Sequence, residues 1–189
     1  MKTVEVAIEG VTPLLMNRFT EDNEVKVSAG VSGTTVGNKG TPREQAAKTA
    51  YMDTNGMLYV PGPNVFRSII EAGKYHKAGK SKVTTQKSSM VPAGISIREL
   101  VLPLETKLFE VDSRSVVIPS TGGRIMKHRA RLDEWKLTFT LDIDDSMFCL
   151  SFVRQLVDDA GRRVGLGDYR PDRKGPFGKF AVIRWIEIS

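Results

Sequence analysis

The chain is poor in the residues that build covalent and metal chemistry. It has one cysteine, Cys149, in 189 residues. That excludes a disulfide framework within a single chain and fits a reducing compartment. There are two histidines, His76 and His128, and no HxxxH or CxxC spacing. No zinc-type ligand set can be read from the sequence, and no motif calls for a cofactor. No apolar run approaches the ~20 residues that a membrane span needs. The opening MKTVEVAIEG alternates like a strand and has no signal-peptide apolar centre. These absences point to a soluble, cytoplasmic protein with no membrane partner. A more local gap runs from Lys74 to Arg98, a stretch with six Lys and Arg residues and no carboxylate.

What is present is an ordinary core and an excess of positive charge. Forty per cent of residues are hydrophobic, and 28 Lys and Arg stand against 22 Asp and Glu, for a net charge of +6. The length suits one domain over residues 1–189. The charge is compatible with a polyanionic partner.

Patterning gives the elements. Val4, Val6 and Ile8 alternate with Glu5 and Glu9, the period of a strand with one buried face. Residues 20–43 are polar and read as a long insertion, with a short helix in PREQAAKTAYM. MLYV at 57–60 reads as a strand. A helix follows, with Pro63 in its first turn and Phe66, Ile69, Ile70 and Gly73 on one face. Residues 74–98 form a basic insertion. GISIRELVLPL and VDSRSVVIP read as strands, and STGGRIMKHRAR as a basic loop. In WKLTFTLDI, Trp135, Leu137, Phe139, Leu141 and Ile143 share a face. Asp144, Asp145 and Ser146 are N-cap candidates for a helix with Phe148, Val153, Leu156, Val157 and Ala160 on one face, and Cys149 on this apolar helix is expected in the core. Gly161 is the expected stop. KFAVIRWIEI closes the chain as a strand. The order strand, helix, two strands, helix, strand predicts an α+β fold, a ferredoxin-like (RRM-like) β-α-β-β-α-β core with long inserted loops.

Just before the last strand stands GLGDYRPDRKGPFGKF, Gly165–Phe180. Its sixteen residues hold four glycines, two prolines and four cations. It lacks the GxxxxGK[ST] order of a phosphate-binding loop, and it precedes a strand rather than following one, unlike a dinucleotide fingerprint. Glycines that admit a close backbone approach, mixed with cations, suit contact with a sugar-phosphate chain. Three basic clusters support that class of partner. One is Arg67 with Lys74, Lys77, Lys80, Lys82 and Lys87. The second is Arg124, Lys127, His128, Arg129 and Arg131. The third is Arg162, Arg163, Arg170, Arg173, Lys174 and Lys179, within which Tyr169 and Phe177 offer rings for base stacking. The candidate nucleic-acid contacts are therefore Arg18, Arg67, Lys74, Lys77, Arg124, Lys127, His128, Arg129, Tyr169, Arg170, Arg173, Lys174, Phe177 and Lys179.

Three segments together carry a family resemblance. LYVPGPNVFRSIIEAG resembles the Ile-Pro-Gly segment of the RAMP superfamily, the repeat-associated proteins of CRISPR systems. Val60, Pro61, Gly62 and Arg67 match, while Pro63 and Phe66 depart from the usual small residues. Gly165–Phe180 resembles that family's C-terminal glycine-rich loop. TPLL, Thr12–Leu15, resembles a third feature, although MNRF replaces the usual glycine-containing continuation. The resemblance implies a ferredoxin-like domain that binds single-stranded RNA, and most resembles the backbone subunits that polymerise along a guide RNA. Its implied partners are guide RNA, further copies of the chain and other effector subunits, with the two insertions gripping RNA or a neighbour. It equally admits a relative working outside a CRISPR complex, such as a viral or mobile-element protein, and a stand-alone, phage-encoded single-stranded DNA-binding module is the third reading. Metal-independent endoribonucleases of the same superfamily use a histidine as general acid or base, a role that would fall to His128 within Lys127-His128-Arg129. Some backbone relatives cleave with an aspartate after the first strand, in the region of Asp22. The reading of a binding protein without catalytic residues leads, and Trp135 and Trp185 are expected in the core.

Overall fold

The computed structural model describes residues 1–18, 40–117 and 122–188. Asp22 and the polar insertion up to residue 39 lie outside the described residues. Among the described residues the fold is mixed α+β, with antiparallel sheets and four α-helices. Strand β1 spans Lys2–Gly10 and β2 Leu14–Leu15. Helix α1 (Pro42–Thr49) follows, then β3 (Tyr59–Pro61), α2 (Gly62–Ala72), β4 (Lys77–Ala78) and β5 (Ser81–Lys82). Next come α3 (Val91–Gly94), β6 (Ile95–Ile97), β7 (Val101–Pro103), β8 (Glu110–Val117), β9 (Arg124–Leu132) and β10 (Lys136–Ile143). Helix α4 (Leu150–Asp159) and strand β11 (Phe180–Ile188) complete the chain. Among the described residues no helix is long and apolar enough to cross a membrane.

The main sheet runs β11-β1-β10-β6, and every neighbouring pair is antiparallel. Its inner face follows from alternation. Val4, Val6 and Ile8 lie opposite Leu141, Phe139 and Leu137, and all six are buried. Val65, Ile69 and Ala72 of α2 and Val153, Leu156 and Val157 of α4 join the same hydrophobic cluster. Numbered by the sheet and these two helices, the chain runs strand, helix, strand, strand, helix, strand, and the strands lie side by side in the order fourth, first, third, second. The buried face of α2 includes Val65, Ser68, Ile69 and Ala72; of the expected stripe, Ile69 and Gly73 are buried, while Phe66 and Ile70 pack at the margin.

A second sheet, β2-β9-β8, stands beside the first. Its long hairpin was hidden in the sequence. STGGRIMKHRAR reads as a loop because cations interrupt both faces of the strand, yet Arg124–Arg131 pairs with the whole of β8. Helix α1 supplies the missing burial. Thr41 and Glu44 form a reciprocal capping box that starts it, and Thr49 Oγ1 accepts the Ala130 N–H at 3.0 Å. GISIRELVLPL, which reads as one strand, divides: Ile95–Ile97 pairs with β10 and Val101–Pro103 with β3. Cys149 is not in the core. It occupies the N-cap of α4 and is exposed, while Phe148 points inward. Asp144 caps the preceding turn instead, accepting from Ser146 N at 3.0 Å. Gly161 does not stop α4: the chain continues through one wider turn, Ala160–Val164, and leaves at Gly165. Trp135 is buried and donates to Thr12 O at 2.9 Å, and Trp185 packs partly buried against the core.

Candidate nucleic-acid interface

The glycine-rich loop, Gly165–Phe180, is sewn into the fold. Asp168 N donates to Leu15 O and Gly178 N to Pro13 O, both at 2.8 Å, so the loop binds the TPLL segment as a strand would. Leu166 N donates to Gly178 O at 2.9 Å. From below, Ser68 Oγ on α2 donates to Gly165 O at 3.1 Å. Leu166, Phe177 and Phe180 are buried. The glycines serve this packing. Gly167 and Gly178 have φ of 73° and 71°, and a Cβ on either would meet the Leu15 or Leu166 carbonyl oxygen at 2.3 and 1.8 Å. The space expected for a nucleic-acid backbone is occupied by the protein's own backbone, because the loop must turn and approach β2 closely.

Two concavities flank the loop. The smaller, of about 240 Å³, is enclosed by the segments that resemble the RAMP pattern: Leu15 and Asn17 after β1, Val60, Asn64 and Arg67 at the start of α2, and Gly167 and Arg170 of the loop. Arg67 is 70 % exposed and pairs with Glu71 at 2.8 Å. The larger is an open groove of about 840 Å³ between the loop and the β8–β9 hairpin. Arg114, Lys127, Arg129, Arg170 and Arg173 line it with Tyr169, against one lining carboxylate, Asp168. Asp168 and Arg170 border both spaces.

Asp168 sets the electrostatics of the groove. Arg129 Nη1 donates to it at 2.8 Å, and Lys127 Nζ lies 3.9 Å away. Burial alone would raise the Asp168 carboxyl, but the Arg129 hydrogen bond and the charges of Lys127 and Arg129 outweigh it and hold the group below its ordinary range. Lys127 is pulled down, first by burial and also by Arg129, with Asp168 offsetting part of this. Asp172 does similar work on the outer turn. It pairs with Lys74 and lies 3.6 Å from Arg170. Burial would raise its carboxyl, and the Lys74 hydrogen bond and charge bring it below the ordinary value. Reading the loop for its cations missed these two aspartates. The signal was present in the sequence, since D-Y-R-P-D-R places each carboxylate within two residues of an arginine.

The expected contacts separate accordingly. Tyr169 is 40 % exposed in the groove, with φ of 48°, a strained conformation for a residue with a Cβ. Phe177 is 7 % exposed; the Arg114 guanidinium covers its ring at 4.8 Å, leaving no face for a base. Arg129 is buried on Asp168 and Asp112 and is a scaffold cation. Arg170 is tied to Gly167 O at 3.0 Å. Arg173 and Lys174 are exposed on the outer turn. Lys127 and His128 alternate across β9. Lys127 lines the groove, and His128 faces the other way and bonds Ser113 Oγ at 2.7 Å, so Lys127-His128-Arg129 does not converge as a catalytic trio. Arg124 stands at the far end of β9, donating to Ser115 Oγ at 2.9 Å. Arg18 and Lys77 are exposed, and Lys179 is half-buried beside Thr12. Among the described residues no cluster of three His, Cys, Asp or Glu could hold a metal ion.

No family model and no curated protein matches the chain. Among solved structures, a chain in the cryo-EM structure of the Type III-B Cmr-beta complex bound to cognate target RNA has a similar fold. The TM-score is 0.56 at 10 % identity, over 99 % of this chain and 60 % of that one. This chain thus spans less than two thirds of the length of its neighbour, and the likeness is one of fold.

Proposed function

We propose that this chain is a RAMP-type single-stranded RNA-binding protein on a ferredoxin-like core, acting as a repeated backbone subunit on guide RNA in a CRISPR-type assembly, alongside other effector subunits. One observation carries the reading. TPLL, the Val60–Arg67 segment and the glycine-rich loop lie far apart in sequence and resemble three features of one family; here they meet around a single loop flanked by a pocket and a cationic groove. The antiparallel order of the main sheet fits the core that this family uses. A fold neighbour within a target-RNA-bound Cmr complex is in keeping with it.

In this reading Arg173, Lys174 and Lys127 hold phosphates, which fixes position without reading sequence, Tyr169 stacks on a base, and Arg114, whose Nε donates to both carboxylate oxygens of Asp112, braces the wall. Buried Arg129 and ring-covered Phe177 shape the groove from behind. The test is binding and cleavage of labelled RNA and DNA single strands without metal. RNA bound intact in preference to DNA, in complexes that grow with strand length, is the expected outcome. Arg170→Ala with Arg173→Ala and Lys174→Ala lowers the log–log salt slope by about 1.4, two contacts at about 0.7 each, because Arg170 is already engaged within the loop. Cleavage abolished by His128→Ala establishes the nuclease instead, preferred DNA binding a DNA module, and an unchanged slope in the triple variant removes the loop from the interface.

A further inference from the structure

A second cationic surface lies outside the groove. Strands β4 and β5 form a hairpin of two residue pairs, Lys77 opposite Lys82 and Ala78 opposite Ser81. Gly79, with φ of 63°, opens its two-residue turn, and Lys80 completes it. All six residues from Lys77 to Lys82 are exposed. Lys77, Lys80 and Lys82 make no ion pair or side-chain hydrogen bond among the described residues. The root is fixed while the tip is free. Val83 is buried, with its N–H bonded to His76 O at 3.0 Å. Thr84 Oγ1 donates to Ile70 O at 2.7 Å, and His76 Nε2 meets Asp159 Oδ2 at 2.9 Å.

Like charges directly opposite each other destabilise an antiparallel pair, and a two-stranded hairpin that buries nothing is marginal by itself. A tip whose only purpose was solubility would gain nothing by opposing its lysines. Directly opposite Cβ atoms lie about 4.5–5.5 Å apart, so the two ammonium groups can close on one phosphate from both sides, with Lys80 beyond them at the turn. The surface is continuous with the site already described, because the Lys74–Asp172 pair ties the root of the hairpin to the turn carrying Arg173 and Lys174. We propose that the β4–β5 hairpin is a second phosphodiester clamp, which takes the same single strand as it leaves the groove past Lys174. This rests on the single-strand-binding reading above and adds the route that the strand follows.

The experiment compares a polyuridylate strand of about 6 nucleotides with one of about 20, lengths that bracket the site size of a small single-strand-binding domain. Wild type is compared with Lys77→Ser/Lys80→Ser/Lys82→Ser and with a charge control, Lys48→Ser/Lys107→Ser, which removes exposed lysines elsewhere. The hairpin variant binds the long strand about tenfold more weakly at low salt, with a slope smaller by about 2, and binds the short strand as wild type does. The control retains long-strand affinity to within about twofold. Equal long-strand binding by wild type and hairpin variant overturns the clamp, as does an equal loss on both lengths or a loss matched by the control. A wild-type protein that binds neither strand overturns the underlying reading, and the clamp with it.

Discussion

The glycine-rich loop and the β4–β5 hairpin are both rich in cations, and the fold treats them in opposite ways. In the loop and its surroundings, Asp168 holds Arg129 and Lys127, and Asp172 holds Lys74 with Arg170 nearby. In the hairpin, three lysines in six residues have no carboxylate partner among the described residues. The loop puts its backbone into the core region, while the hairpin puts nothing there. Positive charge in a sequence is therefore not the same as positive charge available to a ligand. Part of the loop's charge builds the wall of a groove; the hairpin's charge is free.

The largest effect expected from this contrast is one of stability. Gly178→Ala forces a Cβ to 1.8 Å from the Leu166 carbonyl oxygen at φ of 71°. Left-handed strain and overpacking together cost about 3–5 kcal/mol. Gly79→Ala in the hairpin meets nothing within 4 Å, so only the strain at φ of 63° remains, about 1 kcal/mol. Urea midpoints of the two variants read the difference directly. Similar midpoints would mean that the loop is no more integral to the fold than the hairpin.

Asp168→Asn has the next largest effect, about 2 kcal/mol at neutral pH, because it leaves the buried Arg129 with Asp112 alone. The pH dependence has a definite sign. The folded-state carboxyl lies below the ordinary value of about 3.9. Its contribution is complete above that value and disappears as pH falls through the lower folded value. The gap between wild type and variant is therefore constant from neutral pH to about pH 5 and closes in stronger acid. A gap of constant size down to the acid transition would show that Asp168 acts through its shape rather than its charge.

The contrast also explains what the sequence revealed. The core strands were legible because one face of each repeats with period two, as in Val4–Val6–Ile8 and Leu137–Phe139–Leu141. The glycine-rich loop was legible as an element but not in its purpose: glycine reports that a Cβ does not fit and leaves open whether the neighbour is ligand or protein. Strand β9 was hidden because its burial comes from α1 and the loop rather than from its own alternation. The groove required β8, β9 and the loop to meet, which no local pattern encodes. Phe177 and Arg129 illustrate the general difficulty. A ring and a guanidinium beside a basic loop look like ligand contacts until their burial is known.

The smallest expected effect lies on the main sheet, on the face opposite the helices. The RRM-like core expected from the sequence invites the reading that nucleic acid lies across this face. The side chains there argue otherwise. Arg98 forms a bidentate pair with Asp142, at 2.7 Å for both contacts. Arg184 pairs with Glu5 at 2.8 Å and Lys136 with Glu9 at 2.9 Å. Among the described residues of β1, β6, β10 and β11, the positions in register on this face, such as Thr3, Glu5, Ala7, Thr138, Thr140 and Arg184, include no aromatic ring. A strand laid here would have to separate three ion pairs and would find no ring to stack on. Arg98→Gln with Arg184→Gln therefore leaves the salt slope of strand binding unchanged to within about half of one contact. Stability falls by only about 0–1 kcal/mol, as for exposed pairs generally. Anisotropy titrations at several salt concentrations test this. A slope reduced by about 1.4, two contacts' worth, would place the nucleic acid on the sheet rather than along the loop and the hairpin.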